Sequence, residues 1–169
     1  MIRSLSSTDS EVIFRVINDA AQAYKGIIPE DRWKEPYMPM DELKEELDAG
    51  VRFFGWQEKD ILIGVMGFQP VKDTTLIRHA YVLTTYQRRG IGRKLLSYLM
   101  SLAQTPEVLV GTWEDATWAI RFYEKHGFKL VSPKEKDMLL RAYWNIPERQ
   151  IETSVVLKIS RTSRQGTLG

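Results

Sequence analysis

The chain has 169 residues, enough for one domain with a sizeable core, and 24 Lys and Arg against 22 Asp and Glu leave a net charge of +2. Hydrophobic and charged fractions of 43% and 27% are those of an ordinary soluble globular protein. Near-neutrality gives no global reason to expect a nucleic acid or an anionic membrane as partner. The absence of cysteine excludes disulfides, thiolate catalysis and cysteine–zinc sites, and with only His79 and His126 a histidine-built centre is not expected either, so no metal is expected. The opening stretch M-I-R-S-L-S-S-T-D-S lacks the apolar core of a signal peptide and no apolar run could span a bilayer, so a cytoplasmic protein is expected.

Ile2–Leu5 reads as a short first strand. Thr8-Asp9-Ser10-Glu11 has the form of a capping box, and the apolar positions Val12, Ile13, Val16, Ile17 and Ala20 predict a helix to about Tyr24, ended by Gly26. Ile27–Met40 is broken by prolines yet carries Trp33, Tyr37, Met38 and Met40. It reads either as a loop that packs aromatics over the core or as one that lines a substrate pocket. Asp41–Leu47 predicts a second helix. Val51–Gln57 and Ile61–Gln69 predict an antiparallel hairpin around Glu58-Lys59-Asp60, with Gly64 and Gly67 marking close backbone approaches or a bulge.

Thr74–Leu83 is the next predicted strand and Gly90–Gln104 the main helix, with Ile91, Leu95, Leu96, Leu99 and Leu102 at helical spacing. A strand at Glu107–Thr112, a helix at Asp115–His126 stopped by Gly127, and a short strand at Phe128–Val131 follow. Ser132-Pro133-Lys134-Glu135 is a second capping box, opening a helix to Tyr143 or Trp144. Ile151–Ile159 predicts the last strand and Ser160–Gly169 a polar, flexible tail, so residues 1–159 are read as a single domain and 160–169 as its tail. The order predicts an α/β fold: a mixed, mostly antiparallel sheet with one parallel strand pair and helices on both faces.

The stretch Tyr81–Lys94, Y-V-L-T-T-Y-Q-R-R-G-I-G-R-K, stands where a strand turns into a helix. A helix start leaves backbone N–H groups without partners and carries a partial positive charge, and glycines allow close approach, so the stretch suits an anion, in particular a pyrophosphate. No G-x-x-x-x-G-K-[ST] is present, and the third glycine of the dinucleotide fingerprint would fall on Leu95. Arg88, Arg89, Arg93 and Lys94 form a local basic cluster without an aromatic ladder, so no nucleic acid partner is expected.

Gln87-Arg88-Arg89-Gly90-Ile91-Gly92 resembles the acyl-CoA signature Q/R-x-x-G-x-G/A of the GNAT superfamily of N-acyltransferases, and Thr117–Leu130, T-W-A-I-R-F-Y-E-K-H-G-F-K-L, resembles its second signature, A-x-x-F-Y-E-K-x-G-F. The order and spacing of both match, and the element order matches from Ile2 to Ile159. The resemblance implies a GNAT-like fold whose parallel strands splay, and acetyl-CoA as donor substrate. It further implies that Gln87, Arg88, Arg89, Gly90, Ile91, Gly92 and Arg93 form the pyrophosphate cradle, largely through backbone N–H groups. Tyr81, Val82 and Leu83 would pair with the pantetheine arm, an N–H near Val82 would polarise the thioester carbonyl, and Tyr123 would lie near the sulfur and protonate the leaving thiolate. A packed core tyrosine is the plainer reading of Tyr123. Ala116 stands where many members carry an asparagine that binds pantetheine or CoA, and Thr84 where a proline is frequent.

The acceptor must react as a neutral amine, so a group or a water chain must take its proton. His79 is a candidate base, or a structural histidine in an alternating strand; Glu114 and Asp115 come next, with Asp115 also suited to a helix cap. Trp113, Trp33, Tyr37, Tyr24 and Trp144 could form a partly apolar acceptor site, and the Pro133–Trp144 helix could wall it and favour a small amine. The expectation is direct transfer from acetyl-CoA to a primary amine, without an acyl-cysteine. A CoA-binding sensor without turnover and the use of another acyl-CoA are the alternatives, and a homodimer is the default for a soluble enzyme.

Overall fold

The computed structural model describes residues 1–161, so most of the expected tail at 160–169 lies outside the described residues. The elements are β1 (Ile2–Ser4), α1 (Ser10–Ala20), α2 (Met40–Asp48), β2 (Arg52–Glu58), β3 (Ile61–Val71), β4 (Thr74–Val82), α3 (Ile91–Leu102), β5 (Glu107–Trp113), α4 (Thr117–Lys125), β6 (Lys129–Leu130), α5 (Pro133–Tyr143), α6 (Glu148–Glu152) and β7 (Ser154–Ser160). The strand order is β1-β2-β3-β4-β5-β7-β6, a mixed and mostly antiparallel sheet whose parallel pair is β4 and β5.

Three expectations are corrected. The capping interaction before α1 falls at Ser6–Asp9, where the Ser6 N–H donates to Asp9 Oδ2 at 2.9 Å, and the regular helix gives way to a 3-10 turn at Ala21–Tyr24. Asp9 is held in place by Arg3, 3.0 Å away, so the cap that wins is the one with a cationic partner. Before β7, α6 occupies the residues read as the start of the last strand; Pro147 precedes its first turn, a position that favours a helix start over a strand. Asp115 does not cap α4, whose N-cap is Ala116 without a side-chain bond.

The chain forms two compact units, Met1–Lys25 with Trp33–Gln69 and Ile77–Ala103, and Gly26–Arg32 with Pro70–Leu76 and Gln104 onward. In the first, β1, β2 and β3 pair antiparallel. Ile13, Val16 and Ile17 of α1 and Leu43 of α2 share a core with Val51, Phe53, Leu62 and Val65. Phe54, next to Phe53 and so on the opposite face, meets Tyr98 of α3 with ring centroids 5.5 Å apart. These strands are thus covered by α1 and α2 on one face and α3 on the other. Leu62 and Val65 share a face although three residues apart, because the register shifts beside Trp56 and Gln57.

In the second unit, β5 and β6 each pair antiparallel with β7. Leu140 of α5 and Ile151 of α6 pack with Leu109 and Val156, while a β-carbon on Gly127, just past α4, would lie 3.2 Å from Ile159 on the other face. The first residues of β4 belong here: Thr74 Oγ1 donates to Glu107 O at 3.1 Å, and the Thr75 and Thr105 hydroxyls are 2.7 Å apart. The Ser132 cap holds as expected, its hydroxyl accepting from Glu135 N at 3.1 Å.

Candidate functional site

Of the two glycines of β3, one places the helix start against the strand end and the other admits the backbone of β4. A β-carbon on Gly64 would come within 3.0 Å of Ile91 Cγ2 and 3.4 Å of Leu95 Cδ1 and Val82 Cγ2, so its absence lets the first turn of α3 sit directly on the strands. On Gly67 a β-carbon would lie 2.7 Å from Arg78 O, a backbone atom that cannot swing aside.

Between β4 and α3 the chain turns at Thr84–Tyr86. The Thr84 N–H and hydroxyl both donate to Asp19 Oδ2 of α1, at 2.9 and 3.3 Å, a pair of bonds that a proline there could not make. Gln87 reaches back, its Nε2 donating to Val82 O at 3.2 Å, and so ties the turn to the strand end. Arg88 (φ 67°) and Gly90 (φ 77°) are both left-handed. Gly90 is the N-cap of α3 and supplies no side chain to satisfy the helix start. The Lys94 N–H bonds to Gly90 O at 3.0 Å, and by helix geometry the N–H groups that precede it have no intrahelical acceptor. Around them stand the exposed side chains of Arg88, Arg89 and Arg93. The Arg89 guanidinium stacks on Tyr86, 5.0 Å from the ring centroid, and the Arg93 guanidinium folds back over Gly90, 3.4 Å from where its β-carbon would be. The arrangement is an uncapped, dipole-positive helix start ringed by three cations, chemically suited to a polyanion.

The end of β4 divides its groups in two directions. The Leu83 N–H donates to Ile63 O at 2.9 Å, so by strand alternation the Val82 N–H and C=O point away from β3. The Tyr81 and Leu83 side chains pack against the core of α1 and α2. There Tyr24, Tyr37 and Tyr81 gather: Tyr24 lies 5.6 Å from Tyr37 and 6.2 Å from Tyr81 between ring centroids, and Trp33 stacks on Tyr37 at 5.9 Å. Removal from water, then the neighbouring Tyr24 and Tyr37, push the Tyr81 phenol well above the ordinary tyrosine range, so it stays protonated.

Four residues upstream of Leu83, His79 is left-handed (φ 54°) inside a strand, a conformation that costs a β-carbon-bearing residue about 1–2 kcal/mol. Its Nε2 is 3.1 Å from Glu46 Oε1 of α2, and its ring stacks on Phe53 at 5.9 Å. Arg78, the adjacent residue, also meets Glu46, Nη1 to Oε2 at 3.0 Å, and donates to Gln69 Oε1 at 3.1 Å. Burial alone would raise the Glu46 carboxyl, but the His79 hydrogen bond and the charges of His79 and Arg78 overcome it and hold Glu46 below the usual range.

The remaining candidates lie in the second unit. Tyr123 is buried on α4 against Phe122 and Phe128, ring centroids 5.1 and 5.6 Å away. Glu114 is exposed just past β5, its N–H donating to Thr153 O at 2.9 Å. Ala116 is fully buried. Trp113 is buried, and Trp144 closes over Gly111, its ring 3.4 Å from where a β-carbon would stand. The aromatics proposed together from sequence therefore fall in two groups: Tyr24, Trp33 and Tyr37 gather around Tyr81, and Trp113 and Trp144 pack in the other unit. Sequence reasoning missed Glu46, Arg78 and Asp19, ordinary charged residues whose partners are distant in the chain and which carry no local pattern. Among the described residues no cluster of three metal-ligating side chains occurs, and no helix is long and apolar enough to cross a membrane.

The profile of the acetyltransferase (GNAT) family matches residues 15–128. No curated relative matches the chain. Among solved structures it resembles the PaiA N-acetyltransferase from Thermoplasma acidophilum in complex with coenzyme A, at 20% identity over 95% of this chain and 98% of that one, with a TM-score of 0.70. A GNAT-family acetyltransferase from Staphylococcus aureus is 14% identical over 96% and 99%, with a TM-score of 0.73. YncA from Salmonella typhimurium, solved with acetyl-CoA, is 18% identical over 95% and 92%, with a TM-score of 0.64.

Proposed function

The chain belongs to the acetyltransferase (GNAT) family, a family of acyltransferases, and from that premise we propose that it transfers the acetyl group of acetyl-CoA directly to a primary amine of a small molecule. The observation that carries the donor side is the start of α3, where left-handed Gly90 opens a helix without a side-chain cap among Arg88, Arg89 and Arg93. The backbone of residues 88–93 would seat the pyrophosphate, with the arginines adding charge. Two of the similar structures, at low identity, hold coenzyme A or acetyl-CoA, which supports the same reading.

Tyr81, Val82 and Leu83 would present the strand to the pantetheine arm, and the Val82 N–H, on the edge away from β3, would polarise the thioester carbonyl. The amine nitrogen forms the new C–N bond as the C–S bond breaks. Tyr123 would supply the proton that the departing sulfur needs, and the amine would lose its proton to water or to Glu114. The neutral aromatic group of Tyr24, Trp33, Tyr37 and Tyr81 supports an acceptor site with an apolar wall.

The test is release of free CoA from acetyl-CoA across a panel of small primary amines and peptide amines. Turnover with small amines above the rate without acceptor is expected. Acetyl-CoA binding without turnover on any amine would replace the proposal with a CoA-binding sensor, and turnover on peptides alone would overturn the small-molecule acceptor.

A further inference from the structure

We propose that His79 is a positioning residue: together with Glu46 it clamps a kink in β4 that decides which backbone groups of Tyr81–Leu83 face the donor. The inference rests on the reading above only for what the strand end binds; the clamp itself rests on geometry.

Adjacent side chains of a strand point to opposite faces. Arg78 and His79 are adjacent, yet both reach the Glu46 carboxylate, at 3.0 and 3.1 Å. The alternation is therefore broken at this point, and the break is made by the left-handed backbone of His79. Opposite it, Gly67 leaves room for Arg78 O, which a β-carbon there would approach to 2.7 Å. Histidine enters the left-handed region more readily than most residues that carry a β-carbon, but still at a cost glycine does not meet, so something must offset it. The ring supplies it. All three side chains are largely buried, with 15–18% exposure, and the Phe53 ring lies 5.9 Å from the imidazole, inclined by 25°. An ionised carboxylate only accepts hydrogen bonds, so His79 Nε2 carries its hydrogen toward Glu46 and is not a proton acceptor while that bond holds.

The kink matters downstream because a strand has a period of two. A shift of one residue would exchange every inward and outward group beyond it. With the kink in place the Leu83 N–H meets Ile63 O, which leaves the Val82 N–H on the edge away from β3 and turns Tyr81 toward Tyr24 and Tyr37. Without it, Val82 and Leu83 would exchange these roles.

The experiment compares His79→Ala, His79→Gly and Glu46→Gln. Calorimetry measures acetyl-CoA and, as a control for the phosphate seat alone, adenosine 3′-phosphate 5′-diphosphate, which carries the pyrophosphate without the pantetheine arm. His79→Ala keeps the left-handed cost and loses the clamp, so acetyl-CoA affinity should fall about tenfold while that of the nucleotide control changes less than about twofold. His79→Gly loses the clamp and the cost together and should return to within about threefold of wild type. Glu46→Gln should weaken acetyl-CoA selectively, and it carries the test if His79→Ala does not fold. Equal loss in the alanine and glycine variants, or unchanged affinity in Glu46→Gln, overturns the clamp. Intact acetyl-CoA affinity with turnover lost in both His79 variants, and the acidic limb of the pH–rate profile gone, would make His79 the general base instead. If the wild type binds no acetyl-CoA, the proposed function fails. The clamp is then judged by amide exchange at residues 80–83, which should rise in the alanine variant and not in the glycine variant.

Discussion

Gly90→Ala isolates the contribution of one backbone conformation to donor binding. Gly90 is left-handed at φ 77° and ψ 12° and caps α3. Space is not the obstacle, since the nearest atoms to an added β-carbon are Arg93 Nη2 at 3.4 Å and Nε at 3.8 Å, both ends of a flexible side chain. The cost is conformational, about 1–2 kcal/mol for a left-handed L-residue. The chain can keep the turn and lose that much stability, or relax the turn and lose the N–H array that faces the anion. Because acetyl-CoA would bind only the native turn, relaxation should appear as a loss of about 5–30-fold in affinity, the same free energy read through the binding constant. Gly26→Ala is the control: it too is left-handed, at φ 82°, with nothing within 4 Å of its β-carbon. Urea unfolding should show comparable destabilisation in both variants, whereas calorimetric titration with acetyl-CoA should weaken only for Gly90→Ala. Gly90→Glu, which adds a like charge, should abolish measurable binding. A Gly90→Ala protein as stable as wild type and binding acetyl-CoA as tightly would refute the reasoning, and a Gly90→Glu protein with unchanged affinity would remove the phosphate seat from α3 altogether.

Two further expectations concern side chains. Tyr123→Phe should lower kcat by about a hundredfold with acetyl-CoA affinity nearly unchanged, and an unaltered kcat in steady-state CoA release would show that Tyr123 only packs against Phe122 and Phe128. Glu46, whose carboxyl is held low in the folded state, contributes stability that is full above its unfolded value and lost as pH falls through the folded one. Thermal unfolding below about pH 4.3 should therefore decline less steeply in Glu46→Gln than in wild type, and identical slopes would show that the Glu46 pair contributes nothing to stability.

What the sequence revealed and what it hid divide by range. The strand–turn–helix at Tyr81–Lys94 was legible because its meaning is local: two glycines, a cationic turn and an apolar helix period lie within a few residues. Gly64 and Gly67 were legible as close approaches, although only the fold reveals that one admits the first turn of α3 and the other the carbonyl oxygen of Arg78. The helix at Glu148–Glu152 was hidden because Ile151 looks equally at home at the start of a strand, and Pro147 was the only local signal against it. Glu46 was hidden because nothing near it in sequence announces a partner 33 residues away. In the sequence His79 stands out for its chemistry, whereas its distinctive property is a backbone angle that no composition or spacing encodes.

The same distinction explains why family membership says more about the donor than about the acceptor. At the end of β4 the groups proposed for acetyl-CoA are main-chain ones, the Val82 N–H and the helix-start amides, which any sequence able to take up the turn would present. The groups directed to the other side are side chains, Tyr81 with Tyr24 and Tyr37, and these can change without disturbing the strand. A fold that reads one substrate through its backbone and the other through its side chains can hold the first constant while varying the second. For this chain the proposed variable part is the half-buried cluster of Tyr24, Tyr37 and Tyr81 with Trp33 stacked at its side, in which removal from water keeps the Tyr81 phenol protonated. Selectivity among amines should therefore follow the shape and apolar surface of the group attached to the nitrogen rather than a charge at its far end.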